Sequence, residues 1–597
     1  MKARHSARSP IAVGSLSGAI LVMVCLLLPF SVAGQDGIGD PPDLSSLVEF
    51  GRSESDMRMA LERYGDDRGA LMRRYDVPFS PVRRARMLDF YAGWGERLQS
   101  TDFAGLNHEG QIDYVLLRNR LEFEVELLRQ EELQVGEMAA LLPFARELEL
   151  LQEGRRDRIR RLDGRVTADM VTRVAAEVEA LSARIRDGAD LGPMKGVVAE
   201  KAARRTEGLL RILRGWHGYH SGYDPDFTWW MATPWERLSE ALPAHAAAIR
   251  SRYVGDAASG PVIGDPIGAQ GLRAHLDHEM IPYTPEELIS IAEEEFAWME
   301  EALVDAAREM GYDDWREAQE AVKNLAVPPG EKPGVVLDIE QQSIEFIEAR
   351  DWIDLPPLAH EVWRMEMMSP ERQRVAPFFL GGEVIQISYP THEMTHDEKL
   401  MSMRGNNPHF NRATVHHELI PGHHLQGFMT TRFNSHRNMF RTPFWGEGWA
   451  LYWEILLWEN DFPRGPEDRI GMLFWRMHRA ARIIFSLSFH LERMTPQEAV
   501  DFLVDRVGHE RANAEAEVRR SFSGDYSPLY QVGYMWGGFQ FRALYAELVE
   551  SGQMTAREFH DAVLKGGRMP VEMVRARLTG QALTRDHEAE WRHREPG

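Results

Sequence analysis

The stretch HHELIPGHH, residues 416–424, is the part of this chain that decides its fold and chemistry. It places four histidines and one glutamate around a Pro-Gly pair, in the apolar surroundings of a buried helix. Neutral imidazoles are good zinc ligands, and a glutamate beside one of them can act as a general base on metal-activated water. We therefore expect a metal site on an interrupted helix.

The spacing of the histidines requires that interruption. His417 and His423 are six residues apart, so a straight helix would direct their side chains differently. Pro421 cannot donate to the carbonyl of residue 417, and Gly422 tolerates the backbone of a local bulge. A kink is expected to bring His423 back beside His417. The alternative is a cluster of partly buried, hydrogen-bonded histidines.

A second segment has the regular spacing of zinc peptidases. Residues 392–396 fit His-Glu-x-x-His, which would place His392 and His396 on one face of a continuous helix. Pro390 precedes the segment and the charged run 397–399 follows it, a context typical of a solvated turn. We favour residues 416–424 over this rival.

A helix rich in aromatic residues, Trp445–Glu454, is expected to supply a third ligand. Its two carboxylates, Glu447 and Glu454, are seven residues apart and share one face. Because a buried carboxylate without a partner is costly, both should contact cations, donors or a metal. Glu447 follows His423 at a distance that lets a second helix return against the first.

The rest of the chain predicts a mostly α fold. Amphipathic periodicity dominates after Asp43, and Thr284-Pro285, Thr495-Pro496 and Asn407-Pro408 are typical helix starts. Asn407-Pro408 would begin the histidine-bearing helix.

One passage predicts β structure beside that helix. Residues 378–389 contain the turn-forming Gly381-Gly382, followed by a strand-like run that ends at Tyr389. The resulting hairpin either has a structural role or offers a free edge to an extended peptide.

The first 34 residues have the features of a secretory signal peptide: a basic start, a short apolar run and small residues before Gln35. An uncleaved anchor is the alternative, although the run is short for a membrane span. The only cysteine, Cys25, lies inside it, and Val24 does not favour lipidation. The mature chain would then have no cysteine, which suits a periplasmic or secreted protein without disulfides.

Charge and composition narrow the partners. The formal net charge of −23 argues against nucleic acid and against anionic membrane surfaces. We divide the chain into the signal peptide at 1–34, an N-terminal helical region at 35–255 and a C-terminal helical region at 256–597 that carries the metal site. A segment rich in Gly, Pro, Ala and Asp, residues 254–271, would link the two regions.

Together, His417-Glu418-x-x-Pro421-Gly422-His423-His424 and Glu447-Gly448-Trp449-Ala450 resemble the bacterial family DUF885, domain of unknown function 885. The likeness extends through residues 284–288, 479–490 and 528–537. That family is similar to gluzincin-type zinc metallopeptidases, whose third ligand is a glutamate. The resemblance implies a large helical body that encloses a deep active-site cleft.

The resemblance also implies site roles. His417, His423 and Glu447 would bind one zinc ion, and Glu418 would be the general base. Tyr534 matches a tyrosine that could stabilise the oxyanion, its alternative being a core tyrosine. Ser486 and Ser488 stand where Asp and Gly are expected, which weakens the transfer of a charge role to that segment. Further candidates are His424, His416 and Glu454 as alternative or supporting ligands, and His490, Arg520 and Tyr389 as substrate contacts.

The expected function is zinc-dependent hydrolysis of peptide bonds, most naturally in short peptides. One alternative is hydrolysis of another small amide, such as an N-acyl amino acid. The other is a non-catalytic exported protein that binds peptides or metal, although such a receptor has no use for Glu418 as a base. No nucleic-acid partner and no stable membrane span after signal cleavage are expected.

Overall fold

The computed structural model describes residues 54–157, 162–255, 262–373, 379–522 and 526–595, which are mostly helical. A mostly α fold with a small sheet is therefore confirmed. The predicted signal peptide, residues 1–34, lies outside the described residues. Within them, no helix combines the length and apolarity needed to cross a membrane.

In the N-terminal part of the chain, the described residues form helices and the short segments that connect them. Its helices are α1 (Arg58–Arg74), α2 (Pro81–Gln99), α3 (His108–Met138), α4 (Ala145–Arg156), α5 (Gly164–Arg186), α6 (Gly196–Ser221) and α7 (Pro225–Tyr253).

Further α-helices and three short strands follow residue 267. They are α8 (Gly268–His278), α9 (Pro285–Glu309), α10 (Trp315–Lys323), α11 (Lys332–Glu348), α12 (Pro357–Val362), β1 (Arg364–Met367), α13 (Pro370–Gln373), β2 (Phe379–Leu380), β3 (Val384–Ile387), α14 (His396–Gly405), α15 (Pro408–Glu418), α16 (His423–Thr430), α17 (Pro443–Glu459), α18 (Pro466–His490), α19 (Pro496–Phe502), α20 (Arg511–Phe522), α21 (Tyr530–Tyr545), α22 (Ala556–Lys565) and α23 (Val571–Thr579).

Two large apolar cores organise the described helices, and a third, much smaller cluster joins α11 and α15 to β3. The smaller core joins the end of α3 to α4, α5, α6 and α7, with buried side chains from Met138 to Ile249. The larger core joins α1, α2 and most of α3 to helices that follow residue 271. Chain segments that precede and follow the smaller core in sequence therefore pack together in the larger core. The division of the chain at residue 255 stays a prediction.

Local sequence explains where several helices begin. At α9, the Thr284 hydroxyl accepts the Glu287 N–H, while the Glu287 carboxylate accepts the Thr284 N–H at 2.8 Å. Thr495 and Glu498 repeat this reciprocal cap at α19. Asn407 caps α15 by accepting two main-chain N–H bonds, and Pro408 is the first helical residue. These predicted helix starts are confirmed.

A three-stranded sheet in the order β1-β3-β2 lies against the end of α15. β2 and β3 form the predicted antiparallel hairpin, and β1 adds a parallel strand that the sequence did not predict. β1 is largely exposed, so it lacks the apolar alternation that marks a half-buried strand. The Gly382 N–H donates to the Glu418 carbonyl at 3.2 Å. The sheet thereby holds the C-terminal end of the histidine-bearing helix.

Helices α17 and α21 pack at very short range. A Cβ on Gly448 would lie 2.6 Å from the Cα of Gly537, so the two glycines allow main-chain contact between the helices. This packing brings Glu447, next to Gly448, against the first turns of α21.

Candidate metal centre

The Pro-Gly pair breaks the histidine-bearing helix. α15 ends at Glu418 and α16 begins at His423. Across the break, the Gly422 N–H donates to the His416 carbonyl at 3.0 Å. A Cβ at residue 422 would lie 1.9 Å from the His417 carbonyl oxygen, so only glycine fits. The break places the rings of His417 and His423 edge to face, with centroids 4.9 Å apart.

Neighbouring helices hold the main chain of this break. Glu340 in α11 accepts the Ile420 N–H at 3.0 Å, and the Trp449 indole N–H donates to the Pro421 carbonyl at 2.8 Å. Burial raises the pKa of Glu340 well above its ordinary value, against the lowering effect of the Ile420 N–H. Because buried main-chain groups need partners, these contacts fix a loop that would otherwise be costly.

Three side chains converge beside the break. The Glu447 carboxylate oxygen Oε2 lies 3.1 Å from Nε2 of His423 and 3.6 Å from Nε2 of His417. One donor atom from each residue lies within 4.8 Å of the other two. Ligand atoms about 2.1 Å from a tetrahedral zinc ion lie about 3.4 Å apart. Two imidazole nitrogens and one carboxylate at this spacing fit such an ion.

The charges around these donors also suit a cation. Although burial opposes protonation, the Glu447 and Glu454 carboxylates raise the pKa of His417 to about 9. Burial likewise opposes ionisation of Glu447, but the His423 and His417 imidazoles hold its pKa well below the usual range. The carboxylates therefore create a field that favours positive charge at the imidazoles, whether a proton or a metal ion supplies it.

Glu454 lies two turns after Glu447 on the same face of α17, where it orients the predicted ligand His417. Its Oε1 lies 2.6 Å from Nδ1 of His417, while Nε2 of the same ring is directed toward Glu447. A carboxylate on the far nitrogen of a metal-binding histidine fixes the tautomer and the direction of the ring.

Glu418 occupies the last position of α15. Its carboxylate lies against the hairpin turn, since a Cβ on Gly381 would come within 2.1 Å of its Oε2. The side chain is partly exposed, and its charge acts on both His417 and His423. The Glu418 carboxylate therefore lies close enough to both imidazoles to favour positive charge on them.

Two tyrosines of α21 border the donors. The Tyr534 ring stacks on His417 with centroids 6.1 Å apart, and burial raises the pKa of Tyr534 to about 12. Tyr530, one turn earlier, donates its hydroxyl to Oε1 of Glu447 at 2.5 Å. Tyr530 was not predicted from the sequence, although its position four residues before Tyr534 puts both on one helix face.

The neighbouring histidines of the motif have other environments. His424 is directed away, with Nε2 2.7 Å from the Ala359 carbonyl oxygen. His416 is fully buried and packs edge to face against Phe462. Neither of its ring nitrogens has a hydrogen-bond partner among the described residues. The structure thus brings His423, and not His424, beside Glu447.

The predicted substrate contacts have different surroundings. His490 packs against Phe489 and Phe522. Tyr389 follows β3, and its main-chain N–H donates to Gln373 at 3.2 Å. Arg520 donates to Glu517 at 2.8 Å, within a charged group close to Tyr534. Of the three, Arg520 is the one placed near the donor set.

The rival His-Glu-x-x-His segment does not form a helix face. His392 precedes α14, and His396 is the first residue of α14 after the Thr395 cap. Both histidines are exposed. The i, i+4 arrangement that zinc binding would need is therefore not formed.

Comparisons with known proteins give a family and a fold. The family described as "Bacterial protein of unknown function (DUF885)" matches residues 62–578. No curated protein matches the chain.

Two solved structures resemble this fold. A protein from Shewanella oneidensis, provisionally described as a lipoprotein of unknown function, aligns with a TM-score of 0.63 and 17% identity, over 87% of this chain and 98% of its own. A protein from Colwellia psychrerythraea, provisionally described as a lipoprotein, aligns with a TM-score of 0.53 and 15% identity, over 84% and 91%. At such identities the likeness extends to the fold alone.

Proposed function

The chain belongs to the bacterial family DUF885, and we propose that it is an exported zinc-dependent hydrolase of peptide bonds in short peptides. The observation that carries the proposal is the convergence of His417, His423 and Glu447 at the spacing of a zinc site, with Glu418 beside them. Similarity to gluzincin-type peptidases belongs to the same proposal.

Each residue of the proposed site has its own role. His417, His423 and Glu447 would hold the ion, with Glu454 and Tyr530 fixing two of these ligands. When bound, zinc lowers the pKa of water and polarises a carbonyl. Glu418 takes the proton of the attacking water and delivers it to the leaving amine.

Tyr534 is placed to assist the reacting carbonyl. Its raised pKa keeps the phenol protonated at neutral pH, so its O–H can donate to the oxygen on which negative charge develops. Its stacking on His417 holds the ring beside the donors.

Export is supported by the signal-like first 34 residues and by the lipoprotein descriptions of the two structural relatives. The chain is acidic, which accords with a small-molecule or peptide substrate better than with nucleic acid.

The test compares the mature chain with its Glu418→Gln variant. We expect the purified parent to bind one zinc ion and to cleave short peptides, detected by mass spectrometry. Glu418→Gln should keep the metal and lose at least about 100-fold in turnover, since general base catalysis contributes about 10²–10⁴-fold. Glu393→Gln, in the rival motif, is the matched control and should cleave like the parent. Absence of both metal binding and cleavage would refute the proposal.

A further inference from the structure

Three arginines lie close to Tyr534, two of them buried and the third partly exposed. Arg479 and Arg482, one turn apart on α18, place their guanidinium carbons 4.8 and 4.4 Å from the centre of the Tyr534 ring. Arg520 on α20 shares Glu517 with Arg482. We call these three residues the arginine cluster. The cluster adjoins the predicted metal donors, because Tyr534 stacks on His417 and Arg479 shares Glu454 with His417.

The cluster carries more positive charge than its partners neutralise. Glu517 accepts from Arg482 at 2.6 Å and from Arg520 at 2.8 Å. Arg479 lies 3.6 Å from Glu454, but that carboxylate also contacts His417. Two carboxylates thus serve three guanidinium groups and two imidazoles, those of His417 and His478.

Several N–H groups of the cluster lack acceptors. Within the part of the chain that the structure describes, Arg479 Nε, Arg482 Nη1 and Arg520 Nε are buried without a hydrogen-bond partner. Arg479 is 5% exposed and Arg482 is 3% exposed, whereas the Arg520 side chain is 26% exposed, so the cluster reaches solvent through Arg520. Buried charged donors without acceptors are costly, and a bound anion would remove that cost.

We propose that the arginine cluster binds the C-terminal carboxylate of the substrate, which makes the protein a carboxypeptidase. This inference rests on the proposed function. A guanidinium group presents paired N–H donors that match a carboxylate. One extended residue spans about 3.5 Å. A substrate carboxylate held beside Tyr534 therefore brings the last peptide bond of the substrate to the proposed metal donors.

The chemistry is ordinary hydrolysis directed to that bond. The water oxygen bonds to the carbonyl carbon, the C–N bond breaks, and Glu418 passes the proton to the amine of the released C-terminal amino acid. No other reactant is required.

The first experiment compares three peptides of one sequence: a free acid, its C-terminal amide, and an amide whose last residue is glutamate. We expect the free acid to be cleaved with a kcat/KM about 10- to 100-fold above the plain amide, releasing the terminal amino acid. Equal cleavage of the free acid and the plain amide would overturn the inference and leave the hydrolase standing. If the glutamate amide is cleaved with the same kcat/KM as the free acid, the cluster binds a side-chain carboxylate and the inference is wrong.

A binding measurement decides the matter even where no peptide is cut. In the zinc-loaded Glu418→Gln protein, titration calorimetry should show the free acid binding about 10- to 100-fold more tightly than the amide. Equal affinities would contradict the carboxylate site. Failure of cleavage with this preference intact would refute the hydrolase and not the recognition.

Variants of the cluster locate the contact. Arg482→Lys and Arg479→Gln should each reduce the preference for the free acid, measured as the ratio of its kcat/KM to that of the amide, about 10-fold or more. Arg476→Gln is the matched control on the same helix, because Arg476 pairs with Glu295. Using two variants guards against misfolding of either. Folded variants of both arginines that keep the full preference for the free acid would exclude the cluster.

Discussion

Glu454 and His417 form a buried contact in which Oε1 of the carboxylate lies 2.6 Å from Nδ1 of the imidazole. The opposite nitrogen of that ring is directed toward Glu447. In the proposed site, a glutamate that is not one of the three converging donors would thereby determine which nitrogen His417 offers to the metal.

We expect Glu454→Gln to weaken zinc binding about 10- to 100-fold, the usual cost of losing a partner that orients a ligand. Competition with a chelator of known affinity measures the change. Glu459→Gln, on the surface of the same helix, should bind zinc like the parent. Unchanged affinity in Glu454→Gln would mean that the contact does not orient His417.

Replacing the adjacent histidines separates the two candidates for the second imidazole. His423→Ala should lose most bound zinc, because His423 lies 3.1 Å from Glu447. His424→Ala should keep it, since His424 contacts the Ala359 carbonyl. Metal analysis of the dialysed proteins gives the answer, with His396→Ala as a control from the rival motif. Loss of zinc in His396→Ala with retention in His423→Ala would overturn the assignment.

The glycine of the helix break should not tolerate a side chain. Gly422→Ala forces a methyl group into the His417 carbonyl, so we expect a loss of more than about 2 kcal/mol in the free energy of unfolding. Gly427→Ala, five residues later in α16, meets no atom within 4 Å and should be neutral or slightly stabilising. Urea unfolding measures both. Equal stability of the two variants would show that the break can rearrange.

A buried ion network should make stability depend on pH. Asp113 in α3 accepts from Arg437 at 2.7 Å and from His436 at 3.0 Å. Burial opposes ionisation, but Arg437 and His436 hold the pKa of Asp113 below its ordinary value. The folded pKa is thus below the unfolded value of about 3.9, so this stabilisation is present above pH about 4 and is lost as pH falls through the folded pKa.

The variant Asp113→Asn tests this network, because it removes a negative charge that balances the buried Arg437. We expect it to lower the free energy of unfolding at pH 7 by about 3 to 5 kcal/mol. The difference from the parent should shrink as pH falls below 4. Asp305→Asn, in an exposed pair with Arg308, should change stability by less than about 1 kcal/mol. A difference for Asp113→Asn that stays constant with pH would contradict the network.

The sequence predicts the parts of the site that depend on neighbouring residues. Pro421 and Gly422 act on the helix in which they lie, so the break between His417 and His423 follows from local rules. The hairpin of β2 and β3 follows from Gly381-Gly382 in the same way. These features need no knowledge of the distant chain.

Features that depend on tertiary packing escape such prediction. Tyr530 looks like any tyrosine at the start of a helix until α21 is packed on α17. Arg482 has the pattern of a surface cation, yet it is buried because α18 is surrounded by other helices. β1 carries no apolar alternation, and only its pairing with β3 makes it a strand.

The contact between Gly448 and Gly537 has a consequence for how this site could change in evolution. The distance between Glu447 and the tyrosines of α21 is set by two hydrogen atoms, one on each glycine, and not by the reacting side chains. A single methyl group at either position would push the two helices apart and move Glu447, the proposed metal ligand, away from the phenols together with its whole helix. The geometry of the proposed site therefore depends on two residues that take no part in its chemistry.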